Sequence, residues 1–377
     1  MEPEASEWVV RRPGEFSSAL AAEFFSMMRA AHRTIAVIGL LISQSTTAQA
    51  PSPLSVDPAL PPYSPRLAVT GDIHCTGGST MQDLAEDWAR RFRQNHPRVT
   101  VRIGHDTSLS AEGFTALVEG RVNCVTFVRE PFAAELAAFK SKFGYAPQVV
   151  NVAGGSYATK GGTHAIAIYV NAANPLSRAT LKQLDAIFSK TRRRGGEVEI
   201  TRWGQLGLGG EWANRPIHVY TMLRRRDTAN PPGIMNYLEQ RMLRDGEFRD
   251  DVREQRDTPG EQSLAAIVNR IAADPNGIGF SGFGYAVAGA KTLALAEGDG
   301  GPFYAGRPDE VASRDYPLSR QIYLMVNRVP GKPLTPILRE FLLLALSREG
   351  QEAVANNPVQ FIPLSAAQAA AARSKLD

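Results

Sequence analysis

Few residues in this sequence have the types and spacing needed for catalysis. Ser156 lies in a Gly-Gly-Ser-Tyr-Ala segment at 154–158, which approaches the Gly-x-Ser-x-Gly turn of hydrolases but lacks its final glycine. No histidines show metal-ligand spacing. The six histidines are at positions 32, 74, 96, 105, 164 and 218. We therefore predict no catalytic residue, no metal site and no cofactor.

Arg129 has a side chain whose chemistry is electrostatic rather than catalytic. It directly follows the apolar segment Val122–Val128, which predicts a buried strand. The planar guanidinium of an arginine can donate two parallel hydrogen bonds to a tetrahedral oxyanion. The alternative is an ordinary ion pair with Glu130 or Glu135, and the sequence leaves both open.

The first fifty residues predict export. Arg29 and Arg33 precede an apolar run at 34–42, and a small-residue triplet, Ala-Gln-Ala, follows at 48–50. This is the layout of a secretory signal, and the run is too short to span a bilayer. We predict cleavage after residue 48 or 50, a mis-assigned start for residues 1–26, and a periplasmic location.

Two cysteines, Cys75 and Cys124, lie in the exported part. An oxidising compartment permits a disulfide between them, and each belongs to a predicted strand. Whether they are bridged or remain two buried thiols depends on whether those strands are neighbours.

Length and composition indicate a globular protein with two lobes. The chain has 377 residues, of which 43% are hydrophobic and 21% charged, and its formal net charge is +4. The basic runs Lys190–Arg194 and Arg224–Arg226 carry no interleaved aromatic residues, so we predict no nucleic-acid partner.

Apolar strands alternate with amphipathic helices after a proline-rich leader. Residues 51–65 contain six prolines and predict an extended segment. From residue 66 onward the alternation predicts βαβ units and a mainly parallel sheet. Predicted strands are 67–69 or 73–75, 99–103, 122–128, 148–152, 165–170, 217–220, 277–280 and 321–326; predicted helices are 80–95, 111–119, 130–143, 181–188, 233–244, 261–273, 336–347 and 351–356.

Several longer motifs occur in a characteristic order. They are the segments 172–176 (AANPL), 184–189 (LDAIFS), 203–212 (WGQLGLGGEW), 316–320 (YPLSR) and 347–351 (SREGQ). From about Tyr63 to Leu364 the chain resembles the PstS-like family of periplasmic phosphate-binding proteins.

The resemblance implies an α/β, type II periplasmic-binding-protein fold, with two α/β lobes joined by two crossing strands. Lobe 1 would comprise 66–164 and 313–366, lobe 2 would comprise 165–312, and 367–377 would be a tail. The crossings would be Ala165–Val170 and the segment just before Gln321. Parallel strands then direct helix N-termini towards the cleft, where backbone N–H groups favour an anion.

The resemblance also implies ligand-binding residues in the first lobe. The family's Gly-Ser-Asp-Thr turn matches positions 77–80, which read Gly-Gly-Ser-Thr, so Ser79 and Thr80 would contact the anion. The alternative is that they are ordinary helix caps. A second, serine-rich family loop aligns with positions 109–111 and implies Ser110, and a Met-Ser-Arg segment aligns with positions 127–129 and implies Arg129.

Two other matches depart from the family pattern. His164 stands where the family has an aspartate that accepts the proton of phosphate and repels sulfate. A histidine always offers an N–H, so it cannot copy that repulsion, although it can also be a plain hinge residue. In the second lobe, Arg226 matches the family's arginine, but its Ser-Gly-Thr core has become Pro232-Gly233-Ile234.

The function implied is binding of phosphate or a related small oxyanion by a monomer that feeds an ABC-type uptake system. The changes at Gly78, His164 and 231–234 predict a weakened or altered pocket. The alternative is a ligand-free envelope or secretion-linked interaction protein on the same scaffold. An unoccupied or side-chain-filled cleft would favour that alternative.

Overall fold

The computed structural model describes residues 55–107, 109–224 and 232–376, and these are organised around two β-sheets. The strands are β1 Gly71–Gly77, β2 Val99–Ile103, β3 Cys124–Phe127, β4 Gln148–Ser156, β5 Ile166–Asn171, β6 Arg178–Thr180, β7 His218–Met222, β8 Arg253–Gln255, β9 Gly277–Gly282, β10 Ala290–Thr292, β11 Ala294–Ala296, β12 Gln321–Val326 and β13 Phe361–Ile362.

Helices cover both sheets. They are α1 Gln82–Asn95, α2 Ser110–Glu119, α3 Ala133–Phe143, α4 Leu181–Phe188, α5 Gly233–Arg241, α6 Ser263–Ala273, α7 Pro308–Ser313, α8 Pro336–Ala345, α9 Arg348–Ala355 and α10 Ala366–Arg373. Helix α1 shows why they form, since Leu84, Trp88 and Phe92 recur at four-residue spacing and all three are buried. No helix in the described ranges is both long enough and apolar enough to cross a bilayer.

The two sheets share one strand arrangement. The first has the order β13-β4-β12-β3-β1-β2, and the second has the order β10-β5-β9-β7-β8. In each sheet three strands are parallel, and one long strand runs antiparallel beside them: β12 in the first sheet and β5 in the second. This confirms the predicted two-lobed α/β class.

The prediction of mainly parallel sheets was wrong, because the sheets are mixed. Strands β5 and β12 each enter a sheet after the chain has crossed from the other one, and they therefore run against the parallel strands. The predicted crossing at Ala165–Val170 was wrong, because most of those residues form β5, which already belongs to the second sheet. All six positions of β5 are buried. The lobe limits at 164 and 313 remain a prediction.

In the part that the structure describes, the chain crosses between the sheets twice, at 157–165 between β4 and β5 and again in the segment that ends at Arg320 before β12. The second crossing is hydrogen-bonded to the strands at both ends of the first. The Gly155 N–H donates to the carbonyl of Arg320 at 2.8 Å, and the Ile166 N–H donates to the carbonyl of Leu318 at 3.1 Å. The Tyr316 hydroxyl adds a bond to the Ile166 carbonyl at 2.8 Å. The backbone of one crossing therefore fixes the position of the other.

Both ends of the described chain pack on the first sheet's helices. Leu60, in the proline-rich leader, is fully buried, and the Tyr63 hydroxyl donates to Glu340 Oε2 at 2.9 Å. At the other end α10 forms within the segment predicted as a tail, and Ala369 and Leu376 are buried. A row of alanines gives good helix propensity, which the tail interpretation overlooked.

Cys75 and Cys124 lie opposite each other on neighbouring strands. They are partners in the parallel register of β1 and β3, and a disulfide joins them with 4.4 Å between their Cα atoms. Both side chains are buried. The bond ties together the two strands whose ends lead to Thr80 and Arg129.

Replacing both cysteines with alanine should lower the free energy of unfolding. The bridge closes a loop with a sequence separation of 49, for which chain entropy predicts about 4 kcal/mol. Guanidinium denaturation of the double variant and of the wild type, with and without reductant, measures this. Reductant should destabilise only the wild type, and equal stability of wild type and variant without reductant would contradict the prediction.

Candidate anion-binding site

A cleft of about 830 Å³ lies between the two sheets and brings most of the predicted site residues together. Its lining includes Ser79, Thr80, Ser110, Arg129 and His164. The sixth predicted residue, Arg226, lies outside the described residues. Among the side chains that the structure describes, no group of three or more His, Cys, Asp or Glu residues is placed to bind a metal.

The turn at Ser79 and Thr80 faces the cleft from the start of α1. A short 3₁₀ segment, Ser79–Met81, leads directly into the helix, and neither its N-cap nor that of α1 is a side-chain cap. The two hydroxyls are therefore not used as helix caps, which was the alternative interpretation. The helix dipole and the first-turn amides favour negative charge at this point.

Glycine at position 78 follows from close packing. A Cβ at Gly78 would lie 3.0 Å from both Ser110 Oγ and Val128 Cγ2. A serine there would require those two side chains to shift. The preceding residue, Gly77, has φ +143°, which residues other than glycine rarely adopt. A Cβ added there would lie only 2.2 Å from the Thr126 carbonyl oxygen, so Gly77 cannot be replaced without moving β3.

Ser110 begins α2 and is buried at the edge of the cleft. Its Oγ accepts a hydrogen bond from the Val128 N–H at 3.2 Å. Because a hydroxyl both accepts and donates, this bond positions Ser110 while its own proton can still reach an acceptor in the cleft.

Arg129 lines the cleft and also forms the ion pair that was its alternative role. Its two terminal nitrogens donate to the two carboxylate oxygens of Glu135 at 2.9 and 2.6 Å. The guanidinium lies 3.6 Å from the centre of the Phe132 ring, and its side chain is 11% exposed. The arginine is thus held at two points, and Glu135 offsets part of its charge.

His164 is buried at the crossing between the sheets. It is 5% exposed, and neither ring nitrogen has a hydrogen-bond partner. Gly282 lies against the ring, since a Cβ there would be 2.1 Å from His164 Cδ2. Burial, together with the positive charge of Arg320, lowers the pKa of His164 to about 4. The ring is therefore neutral near neutral pH and presents one N–H donor and one acceptor.

Arg320 also lines the cleft, and the sequence analysis missed it as a site residue. Its side chain is 6% exposed and one terminal nitrogen contacts Glu130 Oε2 at 3.1 Å, while Nε has no partner. The signal was present, because Arg320 ends the Tyr-Pro-Leu-Ser-Arg motif directly before a buried strand. Only the fold shows that this position faces the cleft.

The start of α5 forms one part of the second lobe's side of the cleft. Pro232, Gly233 and Ile234 line it, and α5 has no side-chain cap. The helix presses on the Arg129 segment, since a Cβ at Gly233 would lie 3.0 Å from Arg129 Cδ. Its Tyr237 hydroxyl donates to the carbonyl of Ser319 at 2.8 Å. The start of α5 therefore contributes apolar surface where the family resemblance implied hydroxyls, while the polar lining on this side comes from Gln255, Arg256, Asp257 and Ser263.

Comparisons with known proteins agree with this architecture. Residues 63–349 match the model of the PBP superfamily domain. The chain is 37% identical over 312 residues to the phosphate-binding protein PstS of Pseudomonas aeruginosa, covering 83% of this chain and 89% of that protein. It is 25% identical over 304 residues to protein SphX of Synechococcus elongatus, covering 80% of this chain and 79% of SphX.

A solved structure shows the same fold. The crystal structure of PstS from Borrelia burgdorferi matches with a TM-score of 0.50 at 15% identity, covering 78% of this chain and 99% of that one. At this identity the similarity concerns the fold alone.

Replacing His164 with glutamine should reduce the acid sensitivity of folding. The folded pKa of about 4 lies below the ordinary value of 6.5, so between these values the unfolded chain binds a proton that the folded protein excludes. The free energy of unfolding of the wild type should fall as the pH drops from 6.5 to 4, by up to about 3 kcal/mol more than in the variant.

Urea denaturation across this pH range measures the difference. A His105→Gln variant carries the same substitution at an exposed side chain and is the matched control. Parallel curves for the wild type and His164→Gln would show that His164 is not buried in its neutral form.

Proposed function

The chain belongs to the PBP superfamily and, within it, to the PstS-like phosphate-binding proteins, and from this we propose that it binds phosphate or a related small oxyanion. The observation that supports this most is the convergence of the Thr80 turn, Ser110, Arg129 and Arg320 on one cleft. Hydroxyl donors, helix N-termini and arginines are the groups that bind tetrahedral oxyanions.

The affinity for phosphate should be lower than in a site with a full set of donors. Gly78, Pro232 and Ile234 supply no hydroxyl. Pro232 also lacks a backbone N–H. Each lost charge-assisted hydrogen bond costs about 1.5–3 kcal/mol, which corresponds to roughly 10- to 150-fold in affinity. The remaining donors would have to compensate for these losses.

Discrimination between phosphate and sulfate should also be reduced. A carboxylate at position 164 would accept a proton from phosphate and repel sulfate, which has no proton to donate near neutral pH. The neutral His164 ring carries an N–H that can donate a hydrogen bond to either anion. We therefore expect sulfate to compete with phosphate for the cleft.

The site of action is proposed to be the periplasm, with transfer of the ligand to the membrane component of an ABC-type transporter. The charged and apolar pattern before residue 50 supports export, although it lies outside the described residues. The buried disulfide Cys75–Cys124 fits an oxidising compartment. The relatives named as phosphate-binding proteins support the transport role.

Calorimetric titration of the processed protein with inorganic phosphate and with sulfate tests the proposal. We expect measurable binding of both anions, and about 10-fold weaker phosphate binding in Thr80→Val, because this near-isosteric change removes one hydroxyl donor. Thr115→Val alters an exposed hydroxyl of α2 that bonds to the Ala111 carbonyl, and it should bind like the wild type.

Two results would contradict the proposal. Tight phosphate binding with no response to sulfate would disprove the altered pocket. A folded protein that gives no heat with either anion would disprove anion binding altogether and favour the ligand-free interaction role.

A further inference from the structure

We propose that Arg320, of the two largely buried arginines that the structure describes in the cleft, is the principal cation that binds the anion, and that the nearby His164 contacts the same ligand. This inference rests on the proposed function and deepens it, because it ranks these two arginines of that site and names a mode of binding in which the ligand bridges two residues. The two residues would join the ligand directly to the paired crossings between the lobes.

The charge of Arg320 is less fully compensated than that of Arg129. Arg129 makes a bidentate pair with Glu135, at 2.9 and 2.6 Å, and donates to the Glu130 carbonyl at 3.0 Å. Arg320 has one contact with the Glu130 carboxylate, at 3.1 Å. A bidentate pair offsets more of a guanidinium's charge than a single contact does. An anion in the cleft would therefore gain more from Arg320.

Arg320 also has a buried donor without a partner. The residue is 7% exposed, it lines the cleft, and its Nε has no hydrogen-bond partner. A buried donor left unpaired costs about 1–3 kcal/mol. An oxygen atom of a bound anion would remove this cost, so the protein would recover on binding what it loses in the free state.

The position of Arg320 suits a residue that holds a ligand between lobes. Its carbonyl accepts the Gly155 N–H at 2.8 Å, which fixes its backbone to the end of β4. Its guanidinium lies 5.1 Å from the centre of the Tyr237 ring, which belongs to α5 on the second lobe's side. The residue is thus held by its backbone from the first sheet and by its side chain from α5.

His164 lies near Arg320 because the chain segments that carry them are joined. The Ile166 N–H bonds to the Leu318 carbonyl, and Gly155, which bonds to the Arg320 carbonyl, also packs against the backbone of Thr163. Both side chains line the cleft, and the charge of Arg320 contributes to the lowered pKa of His164. Both ring nitrogens of His164 are buried without partners, and the residue lines the same cleft.

A ligand that contacts both residues would bridge the two crossings. Its oxygen atoms could accept from Arg320 Nε and from the His164 N–H. Such binding would hold the crossings, and therefore the lobes, in one relative position. Two of the positions that differ from the family pattern are His164 and the start of α5. The binding energy lost at these positions would then be offset by Arg320, a cation that the motif matches had not assigned to the site.

Calorimetry with inorganic phosphate tests the proposal on three proteins besides the wild type. Arg320→Lys keeps a positive partner for Glu130 but removes the guanidinium fork, and we expect phosphate affinity to fall at least 10-fold. His164→Phe keeps a buried ring but has no hydrogen-bonding nitrogen, and we expect a smaller loss. Arg249→Lys is the control, because Arg249 is equally buried, is paired with Asp251 and Glu199, and does not line the cleft.

A double variant, Arg320→Met with Glu130→Gln, covers the case in which Arg320→Lys fails to fold, since it removes both charges of the pair together. Thermal unfolding identifies which proteins are folded. Loss of phosphate binding in a folded Arg320 variant, with Arg249→Lys unaffected, supports the proposal.

Two outcomes overturn the inference, and they differ in whether the proposed function survives. If the wild type and the folded Arg320 variants bind phosphate equally, Arg320 is not the principal cation, while the proposed function stands. If the folded wild type binds no phosphate, both the proposed function and this inference fail.

Discussion

The need to compensate buried charge determines how this cleft is built. Arg129 and Arg320 are both largely withdrawn from water, and each is paired with a carboxylate, Glu135 and Glu130 respectively. An unpaired charge in such a position would cost several kcal/mol, so the carboxylates make the arginines tolerable in the free protein. The extent of pairing then decides how much positive charge remains for a ligand.

The chain crossings place these groups where both lobes can reach them. Arg320 and His164 lie on the two crossings, and hydrogen bonds between Gly155 and Arg320 and between Ile166 and Leu318 tie the crossings together. On one side the helix starts at Thr80 and Ser110 face the cleft, and on the other side α5 does. A ligand bound at such a junction would contact the segments that connect the lobes.

The departures from the family pattern have local physical reasons. Gly78 is small because Ser110 and Val128 occupy the adjacent space. His164 packs against Gly282, and burial together with Arg320 keeps its ring uncharged near neutral pH. These changes alter the balance of donors and acceptors around the ligand while the scaffold remains that of a binding protein.

The sequence by itself determined the class of fold, the family, and the segments that carry the site. Alternating apolar and amphipathic segments are local patterns, and the helix-start residues Ser79, Thr80 and Ser110 could be found from motif matches. Only the tertiary structure decided which distant residues meet. It showed the mixed sheets, the pairing of Cys75 with Cys124, the Arg129–Glu135 ion pair and the place of Arg320. The ion pair of Arg129 with Glu135 joins neighbouring residues, and the structure decided between the alternatives that the sequence left open. The disulfide joins residues 49 positions apart, and the contact of Arg320 with Glu130 joins residues 190 positions apart. The mixed sheets, the disulfide and this contact depend on strand order and on the register between strands, which leave no local pattern in the sequence.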